Sequence, residues 1–116
     1  MKRAFTYLLL TSGLCFYSCM KEKVPTDLAI QCTDTVSFNS VIEPLIQTKC
    51  VECHEAGGAS GGYVFEGYDN ISANASDMLD AMRGIGFTQM PIVGPALDDS
   101  LIQLFECWIY QGRLNN

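Results

Sequence analysis

Cys50-Val51-Glu52-Cys53-His54 places two thiols and the only histidine of a 116-residue chain within one short stretch. On a helical turn, positions three and four apart share a face. Cys50, Cys53 and His54 can therefore converge on one flat object, and a longer or shorter spacer would break that convergence. Upstream, Phe38, Val41, Ile42, Leu45 and Ile46 follow the i, i+3, i+4, i+7 rhythm of an amphipathic helix. Ser37 or Asn39 can cap it, and Pro44 must sit in its first turn or kink it. The helix is expected to deliver the three groups at its C-terminal end.

Three chemistries use such a set. C-x-x-C-H is the attachment spacing of c-type haem: each thiol forms a thioether to the porphyrin edge, and the histidine is the proximal ligand of the iron. A redox C-x-x-C belongs near a βαβ pattern, and no convincing strand is visible here. Zinc needs four ligands and would have to recruit Cys32 or Cys107 from far along the chain. The residues favour haem c, held by Cys50, Cys53 and His54.

The start of the chain speaks to location. Lys2 and Arg3 precede an apolar run over 4–14, the pattern of a secretory signal peptide, here residues 1–18. It is too short for an ordinary membrane span. Cys19 follows the small Ser18, as in a bacterial lipobox, so it is expected to carry lipid. Phe16 departs from the usual leucine of that motif, and simple cleavage is the alternative. The protein is thus read as exported to the periplasm or cell envelope, membrane-anchored through Cys19.

Export also permits disulfides. Of six cysteines, Cys15 leaves with the signal, Cys19 takes lipid, and Cys50 and Cys53 take haem. Cys32 and Cys107 remain as the obvious pair, the alternative being two buried thiols. Their bridge would close a loop of about 75 residues, a stabilisation of roughly 4 kcal/mol in the chain-entropy account.

Residues 19–35 read as a tether and 36–116 as one small domain. The formal charge is −6, and losing Lys2 and Arg3 takes it to −8. Nucleic acid is an unsuitable partner for such a surface. A redox protein with a basic or neutral rim suits it, although solubility alone also explains the charge. Past the motif, Gly57, Gly58, Gly61 and Gly62 mark a loop. Asp69 or Ser72 opens a short helix to Ala75, and Ser76 to Arg83 reads as another, ended by Gly84. Asn70 and Asn74 head glycosylation sequons that carry little weight in a bacterial setting. Residues 86–97 form a loop with two prolines. Asp98, Asp99 and Ser100 cap a last helix whose stripe is Leu101, Leu104, Phe105, Trp108 and Ile109.

Met90, followed by Pro91, is the candidate sixth ligand. It lies 36 residues beyond His54, enough chain to reach the opposite haem face. A thioether there raises the potential relative to a second histidine. Met78 and Met82 compete but read more simply as core, and an open iron is the remaining alternative.

Taken together, Val36-Ser37-Phe38, Ile42-Glu43-Pro44-Leu45-Ile46, the C-x-x-C-H motif, Gly61-Gly62, Tyr68-Asp69, Met90-Pro91 and the terminal Trp108-Ile109-Tyr110-Gln111-Gly112 resemble a small monohaem cytochrome c. The resemblance is closest to the lipoprotein cytochrome-c-like domains of Bacteroidetes and covers residues 32–116. It implies an all-α cytochrome c fold with first and last helices crossing beside the haem, His54/Met90 ligation and one-electron transfer. The long glycine-rich stretch after the motif departs from the family pattern. The expected function is electron transfer without catalysis or a small-molecule substrate. The alternative is a haem sensor, or an accessory subunit of a haem enzyme, with a displaceable sixth ligand. That alternative needs an acid or base at the iron, and Arg83 is the only basic residue between His54 and Arg113.

Overall fold

Pro44 decides how the first helix begins. In the computed structural model, which describes residues 32–116, a single π-helical turn, Phe38–Ile42, runs straight into α1, Glu43–Lys49, with Pro44 in its first turn. Proline lacks an N–H and its ring crowds the carbonyl four residues back. The wider turn ahead of it, with Ile42 N–H on the Ser37 carbonyl at 3.3 Å, relieves that crowding. Ser37 is the cap, its hydroxyl accepting from Ser40 N–H. The signal segment, Cys19 and the tether up to residue 31 lie outside the described residues.

α1 stops at Lys49, before the motif, because Cys50 leaves helical geometry at φ −127°. The expected delivery of all three groups on the helix is therefore corrected. Cys50, Cys53 and His54 ride on the turns that follow, where His54 N–H bonds the Cys50 carbonyl at 3.0 Å. That i to i−4 bond still keeps them on one side of the chain.

Residues 67–83 form one helix, α2 (Gly67–Arg83), where two short ones were expected. Asn side chains compete with the backbone for hydrogen bonds and often interrupt helices. Here those of Asn70 and Asn74 turn back onto the carbonyls of Glu66 and Asn70, each at 2.8 Å, and the helix runs through. Its buried stripe is Ile71, Ala75, Met78 and Met82. Gly84 ends it at φ 69°, in the left-handed region glycine tolerates.

α3 spans Asp99–Tyr110 after Asp98, whose side chain makes no cap bond. Its buried face is Ile102, Phe105, Cys107 and Trp108, rotated from the expected stripe, and Leu104 is 38% exposed. The rotation follows from the disulfide that joins Cys107 to Cys32, with Cα atoms 5.5 Å apart. A covalent tie on that face turns Cys107 inward.

No strand occurs among the described residues, and the domain is all-α. Its core forms where the first helical segment, α2 and α3 meet. Trp108 is fully buried against Phe38 and Phe105, with ring centroids at 5.7 and 5.6 Å, and its Nε1 donates to the Leu114 carbonyl at 2.9 Å. The C-terminal residues close the other end. Asn116 accepts from Phe38 N–H through its side chain and from Asn39 N–H and the Ser37 hydroxyl through its backbone oxygen. Those amides open the helical segment and have no partner within it. The Tyr68 hydroxyl donates to the Arg113 carbonyl at 2.7 Å, fastening the same tail to α2. Arg83 and Glu106 form a half-exposed ion pair between α2 and α3, a kind of contact that contributes little.

Candidate functional site

The turns after α1, the C-terminal half of α2 and the loop beyond it enclose one cavity of about 600 Å³. That volume lies within the roughly 300–1,000 Å³ of small-molecule and cofactor sites. Cys50, Cys53, His54 and Met90 all line it. The sequence separates Met90 from the motif. The length of α2 and the return of the following loop bring them to the same space.

His54 is oriented from behind. Its Nδ1 lies 3.2 Å from the Tyr63 carbonyl oxygen. A carbonyl only accepts, so Nδ1 carries the proton and Nε2 is left as the lone-pair nitrogen. This arrangement fixes both the tautomer and the ring plane of an imidazole that binds a metal. The Phe65 ring packs against it, tilted by 37°, with ring centroids 4.6 Å apart, and Phe65 N–H bonds the His54 carbonyl at 2.9 Å. The Glu66 carboxylate accepts from Ala56 N–H at 2.7 Å and closes the glycine-rich loop behind the motif. None of these three supports carries a motif of its own. Tyr63 acts through its backbone carbonyl, a group that every residue carries.

The two thiols differ. Cys53 is exposed, whereas Cys50 is half-buried. Burial pushes the Cys50 thiol up to about 11, and the neighbouring Cys53 adds to the shift. Nucleophilic and metal-binding C-x-x-C pairs depend on a lowered thiol pKa, the opposite direction. The further thiols that zinc would have to recruit, Cys32 and Cys107, are bonded to each other. Among the described residues no group of three or more His, Cys, Asp or Glu side chains is placed to hold a bare metal ion.

The rest of the wall is apolar. Phe65 on the His54 side faces Met78 and Met82 from α2, with Phe87, Ile92 and Val93 from the loop. Met78 and Met82 belong to the buried core and also border the cavity. Trp108 does not border it and serves the core alone. Ile92 and Val93 are 67% and 85% exposed although they line a cavity. Apolar side chains so placed gain when an apolar plate covers them. Two thiols, an imidazole whose Nδ1 is already bonded, a thioether and apolar walls line one cavity and form a donor set that fits a haem.

No protein-family model matches the chain, and neither the curated proteins nor the solved structures give a match. Among the described residues no helix is long and apolar enough to cross a membrane.

Proposed function

We propose that this protein is an exported c-type cytochrome that carries single electrons through one covalently held haem. The observation that carries the reading is the single cavity bordered by Cys50, Cys53, His54 and Met90, with His54 locked on the Tyr63 carbonyl. The haem, when bound, supplies a one-electron couple at its iron. Cys50 and Cys53 would hold it by thioethers, and His54 Nε2 and the Met90 sulfur would ligate its iron. The Tyr63 carbonyl raises the basicity of His54 and keeps its ring from turning. Phe65, Met78 and Met82 keep water from the buried side. Ligands held in both oxidation states leave little to rearrange on electron transfer. In this reading the fold is a small cytochrome c, with the first helical segment and α3 crossing beside the haem. The lipid anchor on Cys19 keeps the protein at the cell envelope, and the acidic surface docks weakly with a basic or neutral-rimmed redox protein.

A second reading, a haem sensor or accessory subunit with a displaceable sixth ligand, draws on one observation. Met90 sits in a loop whose residues 84–89 are all exposed.

Covalent attachment is the direct test. Expressed with a haem-maturation system, the protein should gain the mass of one haem that survives acid–acetone extraction. Cys50→Ala with Cys53→Ala should lose all of it. Haem that extracts from the parent protein would defeat the assignment.

A further inference from the structure

Met90 is held by a device that its own position in the sequence does not disclose. A helix leaves its last carbonyls without donors. At the end of α2 those of Asp80, Ala81 and Met82 are all claimed by the loop that follows. Ile85 N–H takes the Asp80 carbonyl at 2.8 Å and Gly84 N–H the Ala81 carbonyl at 3.2 Å, as in an ordinary glycine-ended helix. Two further bonds come from residues well past the turn. Met90 N–H also reaches the Ala81 carbonyl at 2.9 Å, and Gln89 Nε2 reaches the Met82 carbonyl at 3.3 Å. The loop therefore folds back on the helix end and sets Met90 beside it.

Gly84 makes this return possible. At φ 69° it is in the left-handed region, and a Cβ there would meet Gln89 Cβ at 3.2 Å. A side chain at 84 would be strained at this φ and would crowd Gln89 by a few tenths of an ångström. Burial does little for the loop, since Ile85 is 57% and Ile92 67% exposed on either side of Met90. Hydrogen bonds to the helix end are what remain to hold it.

We propose that Gly84 and Gln89 form a clasp with the end of α2 that positions Met90 as the sixth ligand, an inference that rests on the His54/Met90 reading. Both are positioning residues, acting on the ligand through the backbone of Met90. Opening the clasp frees the sixth position while the core around Trp108, which meets α2 at Tyr68 near its start, keeps its packing. A competing small ligand then enters more readily.

The test uses haem-loaded protein and imidazole as the entering ligand. Gln89→Glu keeps size but removes the donor, Gln89→Lys restores a donor, Gly84→Ala obstructs the return, and Met90→Ala is the reference for an absent thioether. Imidazole affinity is read with amide exchange at Met90. Losing one net hydrogen bond corresponds to about a fivefold change in an equilibrium. Gln89→Glu and Gly84→Ala should bind imidazole about fivefold more tightly and exchange the Met90 amide faster. Gln89→Lys should return towards the parent protein. If Met90→Ala leaves imidazole affinity unchanged, the ligand reading fails and the clasp falls with it. If Met90→Ala raises the affinity while Gln89→Glu and Gly84→Ala match the parent, the clasp alone is overturned.

Discussion

Trp108→Ala should unfold this domain at physiological temperature. The side chain is fully buried and packs against Phe38, Phe105 and, edge-on at 6.4 Å, Tyr68. Truncating a buried aromatic to alanine costs about 3–5 kcal/mol through lost transfer energy and the cavity left behind. The Leu114 carbonyl also loses its donor, which adds about 1 kcal/mol. A domain of this size has about 5–10 kcal/mol in total, so the sum approaches or exceeds the whole stability. Trp108→Phe separates the two contributions. It keeps most of the packing and loses the indole N–H, so it should fold with a loss of about 1–3 kcal/mol. Urea unfolding followed by circular dichroism measures both. A Trp108→Ala protein within about 1.5 kcal/mol of the parent would mean that the aromatic cluster is not the centre of the core.

Reducing or deleting the Cys32–Cys107 bridge should have the next largest effect. Its partners are 75 residues apart, so the bond ties the start of the described chain to α3 across nearly the whole domain. In the chain-entropy account a loop of that length is worth about 4 kcal/mol, through states denied to the unfolded chain. For a domain this small that corresponds to a fall in melting temperature of about 15–30 °C. The double variant Cys32→Ala, Cys107→Ala should show it in haem-loaded protein with the iron kept reduced throughout, and an added thiol reductant should then change nothing further. If reductant lowers the parent's melting temperature by less than about 5 °C, the bridge is peripheral to stability.

How much of this was legible in the sequence depends on whether the cause is local. The end of α2 at Gly84 and the loop through Pro91 and Pro95 were legible, because glycine and proline act through their own backbone. Cys50, Cys53, His54 and Met90 were legible as a candidate set because thiol, imidazole and thioether chemistry is written in residue identity. The single run of α2 was not, since whether Asn70 and Asn74 break or extend a helix depends on where their amides turn. Nor was the face of α3, which the link from Cys107 to a residue 75 positions away sets. The support of His54 by Tyr63 and the hold of Gln89 on Met82 use backbone carbonyls, which every residue carries alike. Asn116 closing the first helical segment is a contact across 78 residues with no periodic signal.

The most direct test of the central claim is the visible spectrum of matured protein, oxidised and then reduced, beside Met90→Ala. The account predicts a c-type reduced spectrum and, in the oxidised protein, the weak far-red charge-transfer band of iron bound to a thioether. Met90→Ala should keep the haem and lose that band. Colourless protein from a competent maturation system would contradict the haem assignment outright, and an unchanged far-red band in Met90→Ala would contradict Met90 as its ligand.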